Sequence, residues 1–451
     1  MGLLLICGGG ALLNPILGVA GYMSHYVIGP ERQWWAAPIN HLGIRYSYTL
    51  ALLTAVGMAL HWGKINFGKS FLVRQEKLIL AFLGVVWLAR ILGSDTVGWY
   101  SVVDHPSVKF TKIVIFAIMM SHVVTNLKNL DRLLWIFIFG AVILGIDAFG
   151  EPRSSFVRGR LNTVGGSDFT EANALAAYLA AMLPIIAVQF LRSGWIGKAI
   201  CLVAGVFATN AIILTRSRGA VIGIVAGLFT ALMFAPAKYR GKILVGLVVL
   251  ILGGLYLADP QFMARISTIT YSEDQMDSSS QSRIEVWQGG IKMFMAHPLG
   301  VGPGNFYQEI GNYAVNHPHR DAHSAFIRCA GELGVLGIVL FSALIINALI
   351  FLRRIIKQAS ALPRSVQDQF VLAAFGLIVS LAVLTGSCVT MTLLYMEGLW
   401  WMLIMPACLQ RIMENIEIDI TSSAQPAPPK ARRGAFKPPA KIPSGRRRLS
   451  K

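Results

Sequence analysis

The chain of 451 residues is 55% hydrophobic and only 14% charged, and it carries a formal net charge of +18. That balance excludes a soluble globular domain and points to a polytopic membrane protein. The positive charge sits in short loops and a tail rather than on a basic folded domain, so no nucleic-acid partner is expected.

A membrane-spanning helix needs roughly 20 mostly apolar residues. About twelve runs of roughly that length follow one another, at residues 3–27, 46–62, 78–92, 108–124, 133–149, 172–191, 196–214, 219–235, 243–257, 333–352, 370–385 and 391–409. The fold class expected is all-α: a transmembrane helix bundle with one large external, partly helical loop. The first run contains Asn14-Pro15, which invites two half-spans. No basic region or cleavage site marks it as a signal peptide, so it is expected to be retained. The chain divides into N-terminal helices (residues 1–150), central helices (151–258), the large loop (259–332), C-terminal helices (333–410) and a basic, largely disordered tail (411–451).

Lysines and arginines alternate between loops. Lys64, Lys69, Arg74 and Lys77, then Lys128 and Arg132, Arg192 and Lys198, Lys238 to Lys242, Arg353 to Arg364 and the tail all fall on one side. That side is expected to be cytoplasmic, with both termini inside and the 259–332 loop facing the periplasm across a bacterial inner membrane. The tail's Pro, Lys and Arg residues suit attraction to anionic membrane lipid. Outside, the cations are almost all arginine: Arg158, Arg160, Arg216, Arg218, Arg265, Arg283, Arg320 and Arg328 against Lys292. Arginine kept where topology disfavours cations hints at anion recognition, because its planar fork pairs bidentately with phosphate.

The polar interruption from Asp259 to Gly337 carries His317, His319 and His323. His323 follows Asp321, read as a helix N-cap. It is either a general base above the membrane or a solvated loop histidine. Three histidines also suit zinc, but His317-Pro318-His319 holds a proline between its members and no Cys or Glu cluster accompanies it, so no metal is expected. Arg283 stands in the first turn of an amphipathic segment whose apolar residues, Ile284, Val286, Trp287, Ile291, Met293 and Phe294, suit a helix lying on the membrane surface; it either serves a site or pairs with Glu285 or Asp277. Arg216 and Arg218 close one span and open the next, at the level of lipid headgroups. Arg160 is a weaker candidate of the same kind. Glu332 either orients a neighbour or acts as a second acid.

The five cysteines (Cys7, Cys201, Cys329, Cys388, Cys408) form no CxxC pair and suggest neither disulfides nor a metal site. There is no nucleotide-binding loop, so no cofactor is expected and energy must arrive in the substrate. A lipid-linked diphosphate sugar meets that need, because arginines can neutralise the departing diphosphate without a metal. A flippase for the same lipid would line several spans with charge, yet the spans at 172–191 and 219–235 are almost charge-free in their middles.

Leu214-Thr215-Arg216-Ser217-Arg218-Gly219-Ala220, Ser282-Arg283 with Trp287, the run from His297 to Phe306, and His323-Ser324 followed by Gly331-Glu332-Leu333-Gly334 together resemble the O-antigen ligase and polymerase superfamily of bacterial membrane glycosyltransferases. The N-terminal third is more loosely similar to the O-glycosylation ligases of exosortase systems. The resemblance implies transfer of a glycan from undecaprenyl diphosphate to a hydroxyl acceptor, which is lipid A core, a growing polysaccharide or a protein side chain. It implies Arg218 and Arg283 as diphosphate ligands and His323 as base, with Arg216, Arg160 and Glu332 as supporting contacts.

Overall fold

The computed structural model describes residues 2–33, 45–93, 104–267 and 278–424, with positions 41, 43 and 101 between them. The Trp34-Trp35 loop, the Thr268-Ile269 stretch, Asp277 and the Pro-rich part of the tail lie outside the described residues.

Sixteen α-helices follow in order among the described residues. After a π-helical turn (Leu4–Gly8) come α1 (Gly9–Leu13), α2 (Pro15–Ile28), α3 (Tyr46–Leu60), α4 (Arg74–Leu92), α5 (Pro106–Val123) and α6 (Leu127–Gly150). A two-stranded hairpin, β1 (Phe156–Val157) with β2 (Arg160–Leu161), precedes α7 (Ala172–Arg192), α8 (Trp195–Thr215), α9 (Arg218–Phe234) and α10 (Arg240–Leu257). The large loop holds α11 (Pro260–Ser267), α12 (Ser278–Ala296) and α13 (Phe306–Glu309), and α14 (Ala325–Gln358), α15 (Arg364–Thr390) and α16 (Glu397–Ala424) complete the bundle. Each expected span overlaps helix, but among the described residues seven helices, rather than about twelve, are long and apolar enough to cross a membrane. The all-α polytopic fold is therefore the observed one.

The break invited by Asn14-Pro15 is present, and the boundaries depart from expectation in two other places. The first span breaks at Asn14, whose extended backbone ends α1 while its side chain accepts from Ile16 N, because Pro15 suits only the first turn of a helix. The last helix begins at Glu397 rather than 391 and continues to Ala424, past the start assigned to the tail. It continues because Arg411 is fully buried: its guanidinium donates to Phe67 O, Ser70 O and Phe71 O and to Glu76 Oε2 at 2.6 Å. The helix expected at 333–352 starts at Ala325 and carries a break at Gly334 (φ 64°, ψ −158°).

The core gathers around Trp400 and Trp401 of α16, both fully buried. Tyr22 of α2 stacks on Phe116 of α5 at 3.8 Å, and Tyr26 meets Trp401 edge-on at 4.7 Å. Gln75 at the start of α4 joins three helices, donating to Leu403 O and accepting from Asn347. Helix α9 lies against α15 through Gly219, Gly223 and Gly227, spaced four apart on one face. A Cβ at Gly223 would sit 2.2 Å from Ser387 Oγ and 2.5 Å from Val383 O. Small residues at that spacing let membrane helices approach backbone to backbone, and here they set the height of Arg218 at the head of α9.

Candidate active site

The site assembles at one end of the bundle, where the β-hairpin, the head of α9 and the large loop meet. Thr215 ends α8, Arg216 takes a left-handed turn (φ 48°), and Ser217 caps α9 by accepting from Ala220 N. Asn173, in the first turn of α7, accepts from Ser217 Oγ at 3.0 Å and from Arg160 Nη2 at 2.7 Å. Arg160 Nε donates to Thr215 O at 2.9 Å, so β2 is fastened over the α8–α9 turn. Arg218 follows as the first residue of α9 and is only 8% exposed.

Burial and three neighbouring guanidinium groups, those of Arg265, Arg283 and Arg218, hold Arg160 down to about 10, against the opposing pull of Glu171. It stays charged at neutral pH. Four arginines from β2, α9, α11 and α12 are thus concentrated in one place.

Arg216 does something different from the substrate contact assigned to it. One arm donates to Gly159 O, and the other ion-pairs with Asp259 at 2.7 Å, while its backbone carbonyl accepts from Arg265 Nε. Its fork is spent on joining the hairpin, the α8–α9 turn and the start of α11. That join carries Arg265 into the cluster, a residue that sequence reasoning placed outside the membrane but did not select.

The large loop brings the histidine from the other side. Val286 and Met293 of α12 are buried against Val301, Phe306, Ile310 and Ala322, so part of the apolar face expected to lie on the membrane surface packs within the loop itself, while Ile284 and Ile291 stay exposed. Trp287 Nε1 donates to Ala322 O at 2.8 Å, and His317 Nε2 lies 2.9 Å from Glu285. Both contacts tie α12, and with it Arg283, to the segment leading to His323. His319 lies tilted beside Tyr307, ring centroids 5.4 Å apart. Among the described residues no group of three His, Cys, Asp or Glu side chains is placed to hold a metal.

His323 is left-handed (φ 46°), a conformation costing about 1–2 kcal/mol in a non-glycine residue. Its backbone N–H donates to Asp321 Oδ2 at 3.3 Å and its Nδ1 lies 3.6 Å from the same oxygen. Ser324, not Asp321, caps α14. Burial pulls the imidazole below its usual 6.5; Asp321 opposes this, while Arg283, Arg320 and Arg160 reinforce it. Arg160 and Arg283 therefore act on the histidine as well as on each other, so histidine and arginine cluster share one site. Glu171, at the head of α7, faces it too: burial and Asp321 raise its pKa, against Arg160 and Arg328.

Glu332, assigned to substrate binding, is fully buried. Its carboxylate accepts from Arg328 Nε and Tyr395 Oη, both at 2.8 Å, which leaves it out of a ligand's reach. The backbone around it is interlocked with the glycine-rich turn: Val301 N donates to Gly331 O, Gly302 N to Glu332 O and Val335 N to Pro298 O. At Gly300 (φ 87°) a Cβ would stand 2.3 Å from Glu332 O, and at Gly334 2.2 Å from Pro298 O; both positions require glycine's freedom and its small size.

The segment from residue 202 to 342 matches the O-antigen ligase family. The matched segment is similar to an O-antigen ligase domain. It includes Arg216, Arg218, Arg265, Arg283, His323 and Glu332, while Arg160 stands outside the matched segment and reaches the cluster through the β-hairpin. That match supports the O-antigen ligase and polymerase superfamily for this segment, about a third of the chain. No curated protein matches the chain.

Proposed function

We propose that the protein transfers a glycan from an undecaprenyl-diphosphate carrier to a hydroxyl acceptor at the periplasmic face of the inner membrane. The observation that carries this reading is the meeting of four guanidinium groups, Arg160, Arg218, Arg265 and Arg283, with one imidazole held below its usual pKa, above a bundle of apolar helices. Arg218 and Arg283 bind the diphosphate, with Arg160 and Arg265 beside them. His323, neutral at physiological pH, takes the proton of the acceptor hydroxyl. The acceptor oxygen attacks the anomeric carbon from the face opposite the diphosphate. The bond from that carbon to the diphosphate oxygen breaks, and its electron pair leaves on the diphosphate. Developing charge on the leaving group meets fixed cations, so the step needs no metal ion.

Polymerisation is the same chemistry with a carrier-linked glycan as acceptor. The two are separated by product: a ligase yields one glycan block on a lipid or protein acceptor, a polymerase yields a ladder on the carrier. Purified protein in lipid nanodiscs, given the carrier-linked glycan and each acceptor class, tests the reading. A His323→Ala variant that inserts normally but forms no product is expected, and full activity in that variant removes the base assignment. Activity is expected to persist in excess chelator; loss restored by added zinc would overturn the metal-independent route.

A further inference from the structure

A histidine base needs one ring nitrogen free to take the proton and a partner at the other to fix the tautomer. Resting on the transferase reading above, we propose that Asp321 is the positioning residue that holds His323 as an Nε2 base, and that buried Glu332 acts on it through Arg328. The geometry is a chain of carboxylates and a guanidinium. Asp321 Oδ2 accepts from His323 N–H at 3.3 Å and faces His323 Nδ1 at 3.6 Å, and the Thr392 hydroxyl donates to the same oxygen. Its other oxygen lies 3.7 Å from Arg328 Nη1. Arg328 Nε in turn donates to Glu332 at 2.8 Å, and its guanidinium stands over the Tyr395 ring at 5.3 Å, whose hydroxyl donates to Glu332.

Each link fixes the next. Glu332 is immobile because it is fully buried and its own carbonyl is bonded to Gly302 N. Arg328 is therefore oriented, and with Thr392 it clamps Asp321 from two elements, the first turns of α14 and the segment before α16. Asp321 can then do two things for His323. It supports the left-handed backbone that aims the ring, and it favours the proton on Nδ1, leaving the Nε2 lone pair for the acceptor hydroxyl. The Nδ1 separation exceeds a hydrogen bond, and it shortens as the imidazole becomes cationic during transfer. The charged groups acting on the imidazole are Asp321, Arg283, Arg320 and Arg160, and among these Asp321 alone favours protonation.

The test is the pH profile of transfer by Asp321→Asn, Asp321→Glu, Glu332→Gln and Thr392→Val in nanodiscs. Asp321→Asn is expected to lower kcat at least about tenfold and to move the acid limb of kcat/KM to lower pH, because the neighbour nearest the ring that favours the imidazolium is gone. Asp321→Glu recovers part of both; Glu332→Gln and Thr392→Val shift both in the same direction by less. Should Asp321→Asn fail to fold, Thr392→Val carries the test, since it removes only the clamp on Asp321. Lowered kcat with an unmoved acid limb, or wild-type values throughout, overturns the positioning role. Wild-type values in these variants alongside an inactive His323→Ala sink this inference alone, whereas an active His323→Ala sinks the transferase reading itself.

Discussion

At the scale of single residues, the arginines and the histidine depend on one another. Burial disfavours the imidazolium of His323, and Arg283, Arg320 and Arg160 add to it against the pull of Asp321. In the free enzyme the group is therefore neutral to below pH 6.5, and the acid limb of kcat/KM is expected under that value. A bound diphosphate offsets the arginine field and favours the protonated ring, so the acid limb of kcat is expected at higher pH than that of kcat/KM. Coincident limbs at or above pH 6.5 would separate the histidine from the arginines. Lysine keeps the charge of arginine but not its fork, so Arg218→Lys and Arg283→Lys are each expected to lower turnover by roughly ten- to a hundredfold without loss of insertion. Arg216→Lys has a different signature: its arms hold Gly159 and Asp259, so thermal stability falls together with activity. Rates and melting curves on the same preparations distinguish the two.

At the scale of elements, the site is held up by close approaches that leave no room for a side chain. Gly223→Leu would drive α9 off α15, since even a Cβ there meets Ser387 and Val383. Overpacking of this sort costs about 1–3 kcal/mol, and the variant is expected to melt lower and to lose transfer because Arg218 rides on the head of that helix. A variant that keeps its melting point yet is inactive would tie Gly223 to the site directly. The helices themselves were legible in the sequence, because twenty-residue apolar runs have few alternatives in a membrane. Arg218 was also legible as a candidate at the edge of an apolar run, Arg283 in the first turn of an amphipathic segment, and His323 in the polar loop just ahead of a helix. What the sequence hid is pairing over long separations. That Asp259 occupies Arg216, that Tyr395 and Arg328 occupy Glu332, and that Asp321 faces His323 rather than capping α14 are facts of folding, invisible to spacing. The inward turn of Val286 and Met293 was hidden for the same reason: an amphipathic helix shows that it has an apolar face, not whether lipid or its own loop covers it.

At the scale of the whole molecule, two polar ends are separated by an apolar body. Helix α7 measures the distance, with Asn173 in the candidate site and Arg192 at the far end, a run of about 30 Å at helical rise. The far end is closed by Arg411, Glu76 and His122 beneath the 66–71 loop, and by Lys69 on Glu417. Positive loops at that end make it the cytoplasmic one in our reading. The Arg411–Glu76 pair is fully buried, so removing one partner strands a charge. Arg411→Met is expected to cost about 3–5 kcal/mol, and Arg411→Met combined with Glu76→Leu about the same as wild type or less damage than the single change. Denaturation of the three proteins in one detergent measures this; equal losses in single and double variants would show that the carbonyls of Phe67, Ser70 and Phe71, rather than the ion pair, hold α16.

Transfer of a glycan from a diphosphate carrier, by a cationic cleft at one membrane face with His323 as base, is the reaction we propose. Its most direct measurement is the release of undecaprenyl diphosphate and the mass of the glycosylated acceptor, followed together for the purified protein and for His323→Ala. The account predicts equimolar release and product for the native chain, and neither for the variant. Equimolar turnover by the variant, or carrier consumed without any acceptor gaining mass, would contradict it.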